Sequence, residues 1–181
     1  MTRLLIPDSG PLFSLAAGNL LAVLSNFRVG LTDVVKQETI DKGHGPHASY
    51  EAKQLLKFYN AKKAHKAHIT VMPTQVGHEL RKMRRANPDC ALPANAGELS
   101  IQSLLIHLKL TGASTPPVML FEDGWFLRNQ RALAKPYIPI STEAFLINAE
   151  KLGLIPSASS ARASTSALRP TAWSGIDAID F

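Results

Sequence analysis

The feature that most constrains the fold of this chain is the alternation of short apolar runs with amphipathic helical segments. Apolar runs stand at 4–6, 27–31, 69–72, 118–121 and 137–140, and apolar residues at helical spacing fill most of the sequence between them. Strands separated by helices pair in parallel, and a parallel sheet needs helices on both faces. The pattern therefore predicts an α/β fold with a mostly parallel central sheet.

The helices predicted between these runs have recognisable starts. Ser9 is the expected N-cap of the first helix, with Pro11 in its first turn. Pro139 predicts that the last strand lies at an edge of the sheet, because proline cannot donate to the ladder. After Gly18 a second helix is expected over 20–24, and residues 41–47, with two glycines and a proline, are expected to form a loop. Further helices are predicted at 48–59, 74–85, 97–110, 127–133 and 142–152.

Length and composition indicate one domain followed by a tail. The 181 residues are 45% hydrophobic, which is enough for one sizeable core. We assign residues 1–155 to the domain and residues 156–181 to a tail that is either flexible or docking. Residues 157–167 are almost all Ser, Ala and Thr, which predicts disorder. The apolar residues of 173–181 form either a ragged terminus or a short docking segment.

The charge balance and the single cysteine narrow the class of protein. A net charge of +6 and a pI of about 9.6 favour a polyanionic partner, nucleic acid or an acidic protein, although they also fit simple solubility. Cys90 alone excludes an internal disulfide and indicates a reducing compartment. No apolar run approaches the roughly 18 residues of a membrane span, and the start of the chain is too short before Pro7 for a signal peptide. We therefore expect a cytoplasmic protein without membrane contact.

Carboxylates fall where the predicted strands end and the helices begin. Asp8 follows the first strand, and Glu122 and Asp123 follow the fourth. Glu38 lies on the helix after the second strand, and Glu98 lies at the start of the long helix. Because the carboxyl ends of parallel strands meet at one edge, these acids are expected to converge there.

Such convergence predicts a metal site. Neighbouring carboxylates raise one another's pKa, so a cluster of them needs a counter-charge. Mg²⁺ or Mn²⁺ prefers oxygen ligands, and either ion can polarise a phosphodiester and activate water for attack. Spacing leaves open whether one ion or two bind. Taken singly, an Asp at a strand end is usually a turn residue and a helical Glu usually faces solvent, so the prediction depends on the joint pattern.

Four segments together resemble the motifs of the PIN-domain family. IPDSGPL at 6–12 resembles the opening motif, a strand ending in Asp before a short helix. VVKQE at 34–38 resembles the second motif, a helix bearing Glu. NAGELSI at 95–101 resembles the D-x-G-E helix start of one branch, that of the VapC-like toxins, and FEDGWF at 121–126 resembles the fourth motif. The match spans roughly residues 3–152, in the family's order.

The resemblance implies a three-layer α/β/α sandwich and a Mg²⁺- or Mn²⁺-dependent endoribonuclease that hydrolyses RNA phosphodiester bonds. Asp8, Glu38, Glu98 and Asp123 would be both the catalytic and the metal-binding acids, and Ser9 would orient Asp8. Many bacterial members are toxins that a small antitoxin neutralises. The resemblance therefore predicts a possible antitoxin partner and a homodimer.

The sequence departs from the family pattern at two positions. Asn95 stands where the D-x-G-E pattern has an acid, so it is expected beside the ligands rather than among them. Trp125 stands where some members have a further acid, and Glu122 is a candidate metal ligand that compensates. These departures define the alternative function, a catalytically weak PIN-like module that binds RNA or protein.

Basic residues form two clusters outside the acidic motifs. They are candidates for contact with RNA phosphates, which would position a substrate without reading its sequence. For the cluster at the end of the helix predicted over 74–85, the alternative role is to offset the dipole of that helix. The predicted RNA-binding residues are Arg81, Lys82, Arg84, Arg85, Lys62 and Lys63.

Overall fold

Five parallel strands form the central layer of the protein. The computed structural model describes residues 3–62, 67–122, 124–129 and 132–169. All pairings in the sheet are parallel, and the strand order is β3-β2-β1-β4-β5. The strands are β1 (Leu4–Pro7), β2 (Arg28–Thr32), β3 (His68–Met72), β4 (Val118–Phe121) and β5 (Ile138–Ser141).

Helices cover both faces of this sheet, which confirms the α/β/α prediction. The helices of the described residues are α1 (Ser9–Ala17), α2 (Asp33–Thr39), α3 (Tyr50–Asn60), α4 (Gln75–Ala86), α5 (Ala96–Leu110), α6 (Gly124–Arg128), α7 (Thr142–Lys151) and α8 (Ala158–Leu168). The chain steps from β1 to β3 in one direction, and then crosses back over β1 to reach β4. Right-handed crossovers therefore put α1 and α3 on one face and α4 and α5 on the other.

The core lies between the sheet and these two helical layers. Ile6, Leu120 and Phe121 on the central strands are fully buried, as are Ile101 and Leu104 on α5. The near-continuous apolar strands match a sheet that is covered on both faces. Among the residues that the structure describes, no helix combines the length and the apolar character needed to cross a membrane.

The strand order reverses between β1 and β4, and this reversal locates the site. Pro7 pairs with Leu120, and the Asp8 amide donates to the Leu120 carbonyl at 2.9 Å. The connections leaving β1 and β4 run to opposite sides of the sheet, so a crevice opens beyond the carboxyl ends of these two strands. Asp8 and Glu122 follow these strand ends directly. Pro139 lies on β5, which is an edge strand as predicted.

Several predicted boundaries are wrong by a turn or less. Asp8, not Ser9, is the N-cap residue of α1, since its backbone is extended and Ser9 already begins the helix. The predicted second helix is a 3₁₀ helix, Leu21–Asn26, and the predicted loop at 41–47 begins with another, Asp41–His44. The helix predicted over 127–133 begins at Gly124 instead, because the connection from β4 is only a few residues long, as is usual between strand and helix.

The Ser/Ala-rich segment predicted to be disordered is helix α8. Alanine is the strongest helix former, and the Ser157 side chain caps the helix by accepting from the Ser160 amide. Ala161 and Thr165 are buried in α8, which contacts α1 and α7. Small side chains allow this close packing: a Cβ on Gly18 of the α1 C-cap would lie 2.5 Å from the Thr165 hydroxyl oxygen. The low hydrophobicity of residues 157–167 therefore did not prevent one side of α8 from being buried.

Ala161→Glu is expected to lower the free energy of unfolding by about 2 kcal/mol or more, since it places an unpaired charge between α8 and the domain. The matched control is Ala163→Glu, which makes the same change on the exposed side of the same helix and should alter stability by no more than about 0.5 kcal/mol. Urea unfolding measures both. Equal small effects would contradict the packing of α8.

Candidate functional site

Asp8 lies at the centre of the carboxyl edge of the sheet. Its residue is 3% exposed, between the end of β1 and the first turn of α1. The register of β1 against β4 brings Asp8 alongside Phe121, one residue before Glu122. The two acids at the ends of β1 and β4 are therefore neighbours in space, as the parallel pattern predicts.

Glu122 packs against the first turn of α1. A Cβ added at Gly10 would lie 3.2 Å from both Cβ and Oε2 of Glu122, so only a residue without a side chain fits there easily. The side chain of Glu122 is only 8% exposed, and Arg169 lies 3.5 Å from its Oε2. The guanidinium of Arg169 thus lies beside the Glu122 carboxylate as a counter-charge from the same chain.

Glu38 and Glu98 come together at the start of α5. Glu38, on the last turn of α2, accepts a hydrogen bond from the backbone N–H of Gly97. A Cβ on Gly97 would lie 2.5 Å from Oε2 of Glu38, so the absence of a side chain makes room for this carboxylate. The N-terminus of a helix favours negative charge, because its free N–H groups and dipole point outward. The NAGE motif at 95–98 therefore provides one carboxylate, that of Glu98, and space beside Gly97 for a second, that of Glu38.

Two buried hydroxyls attach the start of α5 to the end of β2. Thr32 and Ser100 are fully buried and their hydroxyl oxygens are 2.7 Å apart. Ser100 also donates to the Gly97 carbonyl at 2.6 Å. The Thr32 side chain accepts from the Val35 amide and so caps α2. These bonds hold α2 and α5, and with them Glu38 and Glu98, at the same sheet edge as Asp8.

Burial, and after it the proximity of Glu98, raises the pKa of Glu38. Burial is the largest cause, and the negative charge of Glu98 is the second. The Gly97 hydrogen bond and the positive charge of Lys42 act in the opposite direction but are weaker. Glu38 and Glu98 therefore repel each other in a partly desolvated place, which is the condition that a bound cation would relieve.

We call Asp8, Glu38, Glu98 and Glu122 the acidic edge. Asp123, the remaining predicted acid, lies outside the described residues. Across the described part of the chain, no three His, Cys, Asp or Glu side chains form a ready-made metal cluster. All candidate ligands of the acidic edge are carboxylate oxygens, which are the ligands that Mg²⁺ and Mn²⁺ prefer. The space beside Gly97 accommodates one of these carboxylates, that of Glu38.

The two residues predicted to support the acids lie beside them. Ser9 is half-buried at the first position of α1, directly after Asp8. Asn95 is exposed and adopts a left-handed backbone conformation, with φ of 59°, which turns the chain into α5. Asn95 thus contributes to the local backbone, and the supporting role of Ser9 stays a prediction.

The basic residues of α4 have different surroundings. Lys82 is exposed and lies 3.4 Å from Glu79, a surface pair of little energetic value. Arg84 donates to the Cys90 carbonyl at 3.4 Å. Arg84 and Arg85 occupy the last turn of the helix, where they also complement its dipole, and Arg85 is exposed. These side chains are accessible to a polyanion.

Arg81 has a structural partner that sequence analysis missed. Its guanidinium lies 2.5 Å from Asp33, which also accepts a hydrogen bond from the Thr74 hydroxyl at 2.8 Å. The Asp33 carboxylate occupies the space above Gly77, where a Cβ would lie 2.1 Å from Oδ2. Asp33 therefore joins the start of α2 to the start of α4. Only its position directly after β2 distinguishes it in the sequence.

A cavity of about 460 Å³ opens between α2 and α4. Lys36, Tyr59 and Arg84 are among its lining residues. Lys62 lies over the Tyr59 ring, with Nζ 3.9 Å from the ring centroid, a cation–π contact. Lys63 lies outside the described residues. The two predicted basic clusters thus flank one cleft near the carboxyl edge of β2 and β3.

Arg169 is a second residue that sequence analysis missed. It directly follows α8, and its Nη1 donates to the Gly10 carbonyl at 2.8 Å and to the Ser14 hydroxyl at 2.7 Å, close to Glu122. The guanidinium also lies 5.8 Å from the Phe13 ring centroid. It lies in the tail, outside the domain predicted over residues 1–155, and a correct prediction of α8 would have drawn attention to it.

Comparison with known proteins adds no assignment. No family model matches the sequence, and no curated protein and no solved structure is significantly similar to it.

Gly97→Ala is expected to displace the Glu38 carboxylate and to destabilise the protein by about 1 kcal/mol, because the added methyl group takes up its space. In a Glu38→Ala background, the same change should be neutral or stabilising by a few tenths of a kcal/mol, since alanine restricts the unfolded chain. Urea unfolding of the four proteins gives the coupling. Additive effects would contradict the contact.

Glu38 should give the stability a distinct pH dependence. Its pKa is raised in the fold, so the stability it contributes is full below the ordinary value and is lost as pH rises through the folded value. Glu38→Gln, which cannot ionise, should therefore gain stability relative to the wild type as the pH rises above 4.5, the ordinary value for glutamate. Urea unfolding in EDTA measures the difference. In a Glu98→Gln background one cause of the raised pKa is absent, so Glu38→Gln should gain less stability. A gain in stability that does not depend on pH would contradict the raised pKa of Glu38.

Proposed function

We propose that this protein is a metal-dependent endoribonuclease that hydrolyses RNA phosphodiester bonds. The observation that supports the proposal most is the contact of Glu38 with the Gly97 amide beside Glu98, at the sheet edge where Asp8 and Glu122 also lie. Carboxylates that repel each other in a partly buried place are stable at neutral pH when a cation balances them. The motif resemblance to PIN domains, which spans the same acids, agrees with this chemistry.

Asp8, Glu38, Glu98 and Asp123 would hold Mg²⁺ or Mn²⁺, and Glu122 is a further candidate. When bound, such an ion supplies Lewis-acid polarisation of the phosphodiester and makes water a better nucleophile. The protein's own contribution is orientation: the Gly97 amide fixes the Glu38 carboxylate, and the β1–α1 junction fixes Asp8. Fixed carboxylates avoid the reorganisation that free ones would need.

The surface charge favours a polyanionic substrate such as RNA. The net charge of +6 attracts a polyanion despite the acids of the site. Lys82, Arg84 and Arg85 are accessible on α4, on the same side of the sheet as α5, and Lys62 lies across the cleft from them. Such contacts position a backbone without reading its sequence. A toxin role with a small antitoxin, a homodimer and a cytoplasmic location stay predictions of the resemblance and the composition.

Asp8→Asn is expected to reduce cleavage of a mixed-sequence RNA in Mn²⁺ by at least about 100-fold, since it removes the central charged ligand while keeping the side-chain shape. The matched control is Asp89→Asn, the same change at an exposed loop position, which should leave the rate unchanged. Single-turnover assays with a labelled RNA give the rates.

Thermal melting tests the metal site independently of cleavage. Mn²⁺ should raise the melting temperature of the wild type and of Asp89→Asn, but should raise that of Asp8→Asn much less. If Mn²⁺ neither stabilises the wild type nor supports cleavage, the nuclease proposal is wrong, and the catalytically weak binding module replaces it.

A further inference from the structure

The C-terminal helix brings a cation to the acidic edge from far along the chain. Arg169 is 159 residues from Gly10, whose carbonyl accepts its hydrogen bond at 2.8 Å. Its other contacts are the Ser14 hydroxyl at 2.7 Å and Glu122 at 3.5 Å. Gly10 and Ser14 belong to α1, two and six residues after Asp8, and Glu122 follows β4. Arg169 therefore lies where α1 and the end of β4 border the crevice.

This guanidinium retains donors that its contacts do not use. All three side-chain hydrogen bonds of Arg169 involve Nη1, and within the described residues Nη2 and Nε have no acceptor. About a quarter of the side chain, 26%, is exposed. An arginine has five N–H groups in a planar fork that matches the oxygens of a phosphate. The residue thus combines a fixed position with free hydrogen-bonding capacity.

The packing of α8 fixes this position. Thr165, one turn before Arg169, is fully buried and its hydroxyl lies 3.4 Å from the Ser14 carbonyl. The Arg169 amide donates to the Thr165 carbonyl at 2.8 Å, so the backbone of Arg169 continues from the docked helix. A side chain held in this way loses little conformational entropy when it binds a ligand.

We propose that Arg169 is a substrate-positioning residue that contacts an RNA phosphate at the acidic edge. The inference rests on the proposed function for the identity of the substrate. Anionic groups cannot approach four carboxylates without a compensating cation, and Arg169 is held at that edge by α1 and Glu122. Its contact with Glu122 orients the fork, and the unused N–H groups bind the phosphate. Helix α8 is therefore part of the substrate site and not only a support for α1.

The test measures binding of a labelled single-stranded RNA of mixed sequence to the full chain in EDTA, by fluorescence anisotropy over a range of salt concentrations. Arg169→Gln should weaken binding several-fold, and the slope of log affinity against log salt should become shallower by about 0.7, the value for one lost phosphate contact on a single strand. Arg169→Lys keeps the charge, so it should restore most of the slope while losing the fork geometry.

Arg162→Gln is the matched control. Arg162 is exposed on α8 and pairs with Glu143 of α7, so its loss should leave the salt slope unchanged. Melting temperatures of all variants separate binding from folding. A purely structural Arg169 would lower the melting temperature in Arg169→Gln without changing the salt slope, and that result would overturn the inference.

The outcome is separable from that of the nuclease proposal. If the wild type fails to cleave RNA but Arg169→Gln still reduces the salt slope, the nuclease proposal fails and the Arg169 contact stands. If the wild type cleaves RNA and Arg169→Gln binds like the wild type, the Arg169 inference fails alone. Absence of RNA binding by the wild type in EDTA would overturn the Arg169 inference alone, because the nuclease proposal is tested by cleavage and melting in Mn²⁺.

Discussion

The contact between Glu38 and the Gly97 amide is the interaction on which the candidate site depends. It brings a carboxylate from α2 to the start of α5, where Glu98 already lies, against the repulsion of the two charges. Three features make it possible: the free N–H groups of a helix start, a residue without a side chain, and the buried hydroxyls of Thr32 and Ser100. The structure stores electrostatic strain there, and functional sites are where such strain is found most often.

The parallel sheet supplies the other half of the site. Because β1 and β4 are adjacent and run in the same direction, the strand register brings Asp8 and Glu122 together. The hydroxyl pair between β2 and α5 then aligns the second set of acids with the first. A rigid strand edge and a helix start together give carboxylates fixed directions, which binding of a hard cation requires.

The C-terminal helix changes how the domain and its tail are understood. Its small residues pack closely on α1, and Arg169, which directly follows the helix, places a guanidinium beside Glu122. The guanidinium of Arg169 therefore lies at the border of the acidic edge. The guanidinium of Arg81 lies beside Asp33 in a similar way. In both pairs the partners lie far apart in the sequence, 48 residues for Asp33 and Arg81 and 47 for Glu122 and Arg169, so each ion pair joins two distant segments.

The sequence by itself determined the elements and the edge where the acids meet. Apolar runs of strand length between helical segments specify parallel strands, and Asp8 and Glu122 follow from where those runs stop. Only the tertiary structure decided that Glu38 meets Gly97, that Asp33 binds Arg81, and that residues 158–168 form a helix ending in Arg169 beside α1. The spacing of apolar residues in the sequence indicates which face of a helix or strand is buried. It does not indicate which distant element packs against that face, because this depends on how many side chains fit together at once.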